Sequence, residues 1–384
     1  MTTIVEQIRA AYELDQKRNI EAVEASDLPL SYEAITDRWL TNVLCRNHPE
    51  ARVIEHTLGE QDSGSSNRRR IKVQYNKAGQ DAGLPTALFC KASHELSNRI
   101  VMGVAGAANA EVVFYNKIRP LLDIEAPGPI FANFDPKSFN SIILLEDLTD
   151  SVQSFCSHKT EVTRARAESQ IRLMAKFHGR FHESPELKTV LTEFGTWPEF
   201  FRKTLDYGMK EGSNQGFLDA ESVIPARLYK RFDEIWPATL ASVEKHQQLP
   251  LTLMHGDVHL KNWYIAGNGE MGLSDWQCCT RGHWSRDLAY AIATALTVEN
   301  RRAWEKDLVR LYLEKLAEAG GPVVTFDEAW VLYRQQLLSV LTWWTITLCP
   351  APGMPDMQPR DITLEFIRRI SIAMDDLDSL GVTA

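Results

Sequence analysis

The first part of the chain changes its hydrophobic pattern near residue 50. Before that point the pattern predicts helices, including an amphipathic segment that begins near Ser31. Beyond it, apolar residues alternate with polar ones at Ile71, Val73 and Tyr75, which is the period of a half-buried strand. Further strands are predicted at residues 53–57, 86–93 and 141–148. The segments predicted to be loops are residues 59–67 and 77–85.

From about residue 149 onward the pattern is mainly that of helices. Residues 161–182 carry apolar side chains at helical spacing. A short island of strands interrupts the helices, with strands predicted at residues 251–254, 262–266 and 271–275. The pattern predicts an α+β fold in three parts: an N-terminal helical extension (1–50), a small lobe with an antiparallel sheet and a helix (51–148), and a larger, mainly helical lobe (149–384). Because interfaces between domains are preferred ligand sites, we expect the site between the lobes.

The charge of the chain bears on its partners. The 384 residues include 42 Lys and Arg against 51 Asp and Glu, which gives a formal net charge of −9. Binding along a nucleic-acid backbone requires a basic surface. We therefore expect no nucleic-acid partner, although a local basic site for a triphosphate remains compatible with this charge.

Cysteine usage and hydropathy indicate the compartment. The six cysteines are scattered and form no CxxC pair, which is typical of reduced thiols in a cytoplasmic protein. The charged N-terminal segment lacks the apolar core of a signal peptide, and no apolar run reaches the roughly 18 residues of a membrane-spanning helix. We expect a cytoplasmic protein with no membrane partner, and the pattern leaves its oligomeric state unknown.

The island of strands contains the segment HGDVHLKN, followed by SDWQ. Asp257 lies on the loop after the first strand, where a carboxylate can accept a proton from an attacking hydroxyl. Asn262 and Asp275 lie at the outer ends of two strands that GNGE joins as a hairpin. If Ala266 pairs with Met271, Asn262 lies directly opposite Asp275. An amide oxygen and a carboxylate that face one point suit Mg²⁺.

These motifs resemble those of a known group of enzymes. HGDVHLKN with SDWQ looks like the catalytic loop and the metal-ligand strand of aminoglycoside phosphotransferases and choline-kinase-like enzymes. The helix start DLAY at residues 287–290 makes the chain most similar to the ecdysteroid-kinase-like branch. The resemblance extends over roughly residues 50–300 in order and spacing, and it is strongest at residues 255–290. It implies a two-lobed, protein-kinase-like fold whose catalytic hairpin lies in the larger lobe.

The resemblance also implies roles for individual residues. Asp257 would be the catalytic base, and His255 would brace the loop that carries it. Asn262 and Asp275 would be the Mg²⁺ ligands. Asp287 would bond the backbone of the catalytic loop, although an acidic residue in the first turn of a helix is also common without such a role.

A zinc site is a weaker interpretation of the same segment. His255 and His259 have the HxxxH spacing of a zinc pair, but that spacing requires a helix. Gly256, next to the end of a strand, argues against a helix there.

A nucleotide site in the small lobe would need a cation for the phosphates and an acid to hold it. Lys91 lies within an apolar predicted strand. Glu111 lies on the apolar face of a helix predicted at residues 106–119, where a carboxylate requires a partner. The resemblance implies that these residues form the lysine–glutamate pair of kinase-like folds. Taken alone, Lys91 is also compatible with an ordinary lysine at the end of a strand.

Two further segments are candidates for nucleotide contacts. Residues 59–67 should cover the phosphates, although they lack the GxGxxG pattern. Within them Gly64, Ser65 and Ser66 could offer backbone N–H groups and hydroxyls, but a serine-rich loop is often only a flexible turn. The segment from Glu146 to Leu148 fits a hinge whose backbone pairs with adenine, and a plain buried strand explains it equally well. A Walker motif, GxxxxGK[ST], is absent from the sequence.

The sequence gives the least information about the molecule that accepts the phosphate. The predicted helix at residues 326–348 places one stripe of residues along a face: Trp330, Tyr333, Leu337, Leu341 and Trp344, with Trp343 beside it. Such a stripe is usually core packing; if its end lines a pocket, the acceptor would be apolar or a cation held by aromatic rings. We interpret the acids near the C-terminus as solvated surface: Asp356, Asp361, Asp375, Asp376 and Asp378. This pattern favours a hydroxylated apolar metabolite over an aminoglycoside.

The sequence thus predicts an enzyme that uses ATP and Mg²⁺ to phosphorylate a hydroxyl of a small molecule. An antibiotic kinase of the aminoglycoside type is an alternative. Another is a nucleotide-binding sensor or scaffold without turnover, although retention of Asp257, Asn262 and Asp275 argues against it. A protein kinase is disfavoured, because the segment after Asp275 leads almost directly into a helix without a long activation loop.

Overall fold

The computed structural model describes residues 3–350 and 357–382. The chain divides into two compact units, Met1–Leu121 with Pro127–Asp150 and Leu122–Ala126 with Ser151–Ala384. The lobe boundaries at residues 50 and 148 remain predictions.

The first unit combines helices with an antiparallel sheet. Its elements are α1 (Ile4–Arg18), α2 (Asp37–Leu44), β1 (Val53–Ser63), β2 (Asn67–Tyr75), α3 (Lys77–Asp81), β3 (Ala87–Ala92), α4 (Leu96–Ala105), α5 (Ala107–Val113), β4 (Pro129–Asp135) and β5 (Asn140–Glu146). A π-helix at Phe114–Ile118 continues α5. The strands form one sheet in the order β1-β2-β3-β5-β4.

Residues before position 50 contribute to the core of this unit. Thr36 caps α2 by accepting a hydrogen bond from the backbone N–H of Trp39. Trp39 and Leu40 are fully buried in a cluster with Ile71 and Leu88 of the sheet. α2 therefore covers one face of the sheet and buries the apolar stripe that its sequence carries.

Several elements differ from the prediction. Residues 19–36, all of them described, form neither helix nor strand. Strand β1 continues to Ser63, so the predicted loop at residues 59–67 is mostly strand. Its last residues are polar because both faces are exposed beyond the core, so an alternating apolar pattern is absent. Asn76 caps the short helix α3 inside the predicted connector, and β4 had no predicted counterpart.

The second unit is mainly helical. Its elements are β6 (Val152–Phe155), α6 (Arg164–Phe181), α7 (Trp197–Leu205), α8 (Met209–Asp219), α9 (Ala226–Tyr229), α10 (Phe232–Gln247), β7 (Thr252–Met254), β8 (Trp263–Ala266), β9 (Met271–Leu273), β10 (Thr280–Gly282), α11 (Ser285–Ala295), α12 (Val298–Glu318), α13 (Phe326–Leu348) and α14 (Arg360–Asp376). β6, β8 and β9 form a three-stranded sheet, and β7 pairs with β10. Among the described residues, no helix is long and apolar enough to cross a bilayer.

The register predicted for the β8–β9 hairpin is wrong by one residue. The N–H of Ala266 donates to the carbonyl of Glu270 (2.9 Å), so Ala266 does not pair with Met271. The loop has three residues and ends at Gly269, whose φ is +89°. A type I turn followed by a left-handed glycine gives such a loop, whereas the prediction assumed four loop residues. Asn262 consequently lies opposite Ser274, whose N–H donates to the carbonyl of Asn262 (2.9 Å).

We predict that Gly269→Ala weakens this hairpin. A residue with a Cβ in the left-handed region costs roughly 1–2 kcal/mol, so the calorimetric transition of the second unit should shift to lower temperature. Gly195→Ala is the matched control, because its φ is not in this region and the nearest atom to an added Cβ is 3.9 Å away. Equal shifts for the two variants would contradict this account of the turn.

Candidate active site

The loop after β7 is fixed by hydrogen bonds to its backbone. Gly256 has a φ of +82°, and a Cβ there would lie 2.3 Å from the carbonyl oxygen of Cys278. Only glycine therefore fits this position. The carboxylate of Asp287 accepts hydrogen bonds from the N–H groups of His255 (2.7 Å) and Gly256 (3.1 Å). Arg286 Nη1 donates to the carbonyl of Gly256 (2.7 Å), so adjacent residues of α11 hold both sides of one glycine.

Asp287 is fully buried and charged. Burial alone would raise its pKa, but the hydrogen bond from His178 and the nearby His255 and Arg286 lower the pKa below the ordinary aspartate value. Its contact with the backbone of the catalytic loop, which the resemblance implies, is confirmed.

His255 connects this loop to the segment after β9. Its Nε2 lies 3.0 Å from the carbonyl oxygen of Ser274, and the N–H of Asp257 donates to its Nδ1 (3.2 Å). Burial lowers the pKa of His255, which favours the neutral ring that these two bonds require. The ring also meets Trp276 edge to face, with centroids 4.6 Å apart. These contacts are those of a residue that braces the loop.

Asp257 is held by side chains on two sides. Tyr290 donates to its Oδ1 (2.8 Å), and Nε2 of His259 lies 3.5 Å from its Oδ2. Burial would raise the pKa of Asp257, but the charge and hydrogen bond of His259 and the hydrogen bond of Tyr290 lower it to about 2. The side chain remains 16% exposed. Asp257 is thus an ionised carboxylate that a ligand can still reach.

Tyr290 had no role in the sequence analysis. It lies three residues after Asp287 and therefore on the same face of α11, one turn further along. The DLAY motif carried this spacing, so the side-chain contact could have been inferred from it. Burial and the charge of Asp257 raise the pKa of Tyr290 well above its usual value, which keeps the phenol protonated as a donor.

Asn262 lies beside this carboxylate at the end of a short 3₁₀ helix, Leu260–Asn262. Its Nδ2 donates to the carbonyl of Asp257 (2.7 Å), which leaves the amide oxygen as the atom suited to a metal ion. Asp275 follows Ser274, the residue opposite Asn262, and has a φ of +63°. A non-glycine residue in this region is uncommon, and such residues cluster at functional sites.

The first unit contains the predicted ion pair. Nζ of Lys91 on β3 lies 2.7 Å from Oε1 of Glu111 on α5, and both side chains are buried. The helix that carries Glu111 runs from Ala107 to Val113 and continues as a π-helix, close to the predicted range. Desolvation makes a buried charge costly without a partner, so each of these groups requires the other.

The other nucleotide-site candidates also lie in the first unit. Gly64, Ser65 and Ser66 form the turn between β1 and β2. The N–H of Gly64 donates to the carbonyl of Ser66 (3.0 Å), so it is engaged within the turn, contrary to its proposed availability for phosphate. Glu146 ends β5 as an exposed residue, and Leu148 begins a 3₁₀ helix.

Comparisons with known proteins show what the chain is similar to. Residues 151–324 match the family model described as the phosphotransferase enzyme family. A candidate aminoglycoside phosphotransferase from Ralstonia eutropha is similar in structure, with a TM-score of 0.50, 12% identity and coverage of 88% of this chain and 96% of that chain. The family match is thus confined to residues 151–324, and the likeness to the solved structure extends to the fold.

Two other solved structures are similar to this chain. An ethanolamine kinase from Plasmodium vivax has a TM-score of 0.48 and 11% identity, over 97% of this chain and 94% of that chain. The choline kinase LicA from Streptococcus pneumoniae has a TM-score of 0.45 and 12% identity, over 88% of this chain and 98% of that chain. None of the curated proteins matches the sequence. The predicted α+β, protein-kinase-like fold is confirmed, whereas the ecdysteroid-kinase-like branch remains a prediction.

The aromatic stripe of α13 is mainly core. Tyr333, Leu337, Leu341 and Trp344 are buried on α13, while Trp330 and Trp343 are only partly buried. The C-terminal acids are more engaged than expected: Asp375 pairs with Arg227, and Asp376 pairs with Arg301 and Arg302. Asp356 lies outside the described residues.

We predict that Asp287→Asn loosens the loop after β7. Hydrogen bonds to a charged group contribute about 1.5–3 kcal/mol, and an amide would also turn its own N–H₂ toward the N–H groups of the loop. The free energy of unfolding of the second unit should therefore fall by an amount in that range. Calorimetry should show the loss at neutral pH. The pKa of Asp287 is lowered in the folded state. The difference in unfolding free energy between the wild type and the variant should therefore be complete above the ordinary aspartate pKa and disappear as the pH falls through the lowered pKa.

Asp307→Asn is the control for this substitution, because Asp307 lies on α12 with 59% of its side chain exposed. A stability loss for Asp287→Asn no larger than that of the control would contradict the role given to Asp287.

Proposed function

We propose that this protein is a phosphotransferase that transfers the γ-phosphate of ATP to a hydroxyl of a small molecule, with Asp257 as the catalytic base. The main support is the ionised carboxylate of Asp257, which Tyr290 and His259 hold at a still accessible position. Asn262, the candidate metal ligand, is hydrogen-bonded to the same residue.

In the proposed reaction, Asp257 orients the acceptor hydroxyl and takes its proton. The acceptor oxygen forms a bond to the γ-phosphorus while the bond from that phosphorus to the bridging oxygen breaks, and ADP leaves. Positioning and charge stabilisation would supply most of the rate enhancement. His255 would keep Asp257 in place through its contacts with Ser274 and the loop backbone.

The oxygen atoms of Asn262 and Asp275 suit Mg²⁺. Both are hard ligands, and two protein ligands leave coordination positions for phosphate oxygens and water. Because Nδ2 of Asn262 donates a hydrogen bond to the carbonyl of Asp257, the amide oxygen is the atom that would bind the metal ion. When bound, Mg²⁺ would neutralise charge on the phosphates.

The first unit would hold the nucleotide. Lys91, kept in place by Glu111, would contact the phosphates, and the backbone from Glu146 to Leu148 would pair with the base. The turn at Gly64, Ser65 and Ser66 remains a candidate for phosphate contacts, although the N–H of Gly64 is engaged elsewhere. The six cysteines all lie within the described residues and form no disulfide there, which supports the cytoplasm as the proposed location.

The proposed acceptor is a hydroxylated, largely apolar metabolite. Trp343, which is only partly buried where it packs against Trp197 and Phe200, is the candidate contact for such an acceptor. Acids at the C-terminus that might have attracted a polycation are paired with arginines instead. This pairing argues against an aminoglycoside as the acceptor.

We predict that Asp257→Asn lowers kcat at least about 100-fold, because general base catalysis contributes roughly 10²–10⁴. A metabolite library tested for phosphate transfer from ATP provides the measurement. ATP affinity, measured by calorimetry, should stay unchanged, because the substituted group is the proposed base. Asp233→Asn is the control, since this residue is exposed on α10.

Full turnover by Asp257→Asn would remove this residue from the role of base. Wild-type protein that binds ATP but phosphorylates no acceptor would favour a nucleotide-binding sensor instead.

We further predict that Tyr290→Phe lowers kcat about tenfold and leaves both KM values unchanged. A hydrogen bond to a charged group contributes about 1.5–3 kcal/mol, and part of it should be felt when the carboxylate orients the acceptor. Tyr333→Phe is the matched control: Tyr333 is equally buried, and its hydroxyl lies 3.3 Å from Glu305. A similar fall in kcat for both variants would mean that loss of a buried hydroxyl, not its position beside Asp257, causes the effect.

A further inference from the structure

The N-terminal helix α1 carries none of the residues proposed for the nucleotide or the acceptor. Thr3 and Glu6 form a capping box at its start, in which the side chain of each accepts a hydrogen bond from the backbone N–H of the other. Most of its residues are exposed, but Ile8 is fully buried. A Cβ at Gly103 of α4 would lie 2.7 Å from Cδ1 of Ile8, so the glycine allows the two helices to approach each other closely. α1 is thus docked against α4.

A fully buried arginine makes the charged contact between these two helices. Nη1 of Arg99 on α4 lies 2.6 Å from Oδ2 of Asp15 on α1. The guanidinium also lies over the ring of Tyr12, with Cζ 5.0 Å from the ring centroid. Because a guanidinium is always protonated and a buried charge is costly without a partner, Asp15 offsets the charge of Arg99 where it is buried.

The same guanidinium binds the backbone at two further points of the first unit. Its Nε donates to the carbonyl of Ser93 (3.1 Å), and its Nη1 donates to the carbonyl of Ser138 (3.1 Å). Ser93 directly follows β3, two residues after Lys91, and Ser138 lies in the turn between β4 and β5. Arg99 therefore connects α4 with α1, with the end of the strand that carries Lys91 and with this turn.

Glu111 is close to this junction along the chain. It lies on α5, which Gly106 alone separates from α4. Met102 of α4 belongs to the same buried cluster as Ala107 and Ala108 of α5, so packing also connects the two helices. Because packed interiors transmit strain, a displacement of α4 would move α5 and the carboxylate that it carries.

We propose that Arg99 is a positioning residue for the Lys91–Glu111 pair. Asp15 of α1 contributes to phosphate transfer by holding Arg99 in place. Arg99 lies between the two elements that carry the pair, because it binds the backbone at the end of β3 and belongs to the helix that precedes α5. Displacement of a positioning group by about 1 Å can reduce a rate roughly 100-fold. This inference rests on the proposed function, in which Lys91 contacts the phosphates, and deepens it by giving the N-terminal helix a part in the reaction.

A double-mutant cycle between Asp15 and Glu111 tests this role, with kcat/KM for ATP measured on an acceptor from the metabolite library. Asp15→Asn removes the charge beside Arg99 and should lower kcat/KM about tenfold. In the Glu111→Gln background the same substitution should change kcat/KM less than about twofold, because the pair through which Asp15 acts is already broken. A purely structural role of Asp15 would give equal losses in both backgrounds.

Two further variants separate the docking of α1 from general destabilisation. Ile8→Ala weakens the contact of α1 with α4 without removing a charge, and its effect should depend on Glu111 in the same way as that of Asp15→Asn. Asp81→Asn is the matched control and should leave kcat/KM unchanged, because Asp81 lies on α3 of the same unit with 63% of its side chain exposed. Calorimetry should show that each variant is folded at the assay temperature.

Hydrogen exchange provides a measurement that does not require turnover. Asp15→Asn should increase the exchange rates of the α5 amides, whereas Asp81→Asn should not. Equal losses of kcat/KM in the two backgrounds, or unchanged exchange at α5, would overturn the positioning role while leaving ATP use intact. If the wild type phosphorylates no acceptor, the proposed function falls, and exchange at α5 alone then supports or overturns the link between α1 and Glu111.

Discussion

The buried carboxylate of Asp287 is the constraint on which the candidate site depends. A buried charge is stable only when its hydrogen bonds are satisfied, and two of the partners of Asp287 are consecutive N–H groups of the loop after β7. The loop can therefore adopt few conformations without leaving this charge unpaired. Gly256 permits the positive φ that the geometry requires, and Arg286 fixes the opposite side of the same residue.

The helix that carries Asp287 also supports Asp257. α11 carries Asp287 in its first turn and Tyr290 one turn later, so a single rigid element holds both the backbone of the loop and the side chain of Asp257. Sites on rigid elements keep their geometry better than sites on loops alone. The accessible carboxylate is thus supported by fully buried partners, and its low pKa follows from their positions.

The features of the candidate site that depend on residue type and approximate spacing could be predicted from the sequence. The apolar helix face around Glu111 indicated that this carboxylate requires a partner, whereas its pairing with Lys91 and the contacts of Asp287 followed from the family resemblance. The hairpin register did not follow, because GNGE is compatible with loops of three and four residues. Only the left-handed conformation of Gly269 decides between them, and it shifts Asn262 opposite Ser274.

That shift changes how the candidate metal ligands are understood. In the predicted register, Asn262 and Asp275 would have been directly opposed residues of two paired strands, and strand geometry alone would have brought them together. Instead, Asp275 lies beyond the last strand pair and takes a left-handed conformation that aspartate tolerates better than most residues. Beside it, Nε2 of His255 lies 3.0 Å from the carbonyl oxygen of Ser274. The strained backbone at Asp275 is therefore a feature of the candidate site itself, and it could not be inferred from the alternation of residues along a strand.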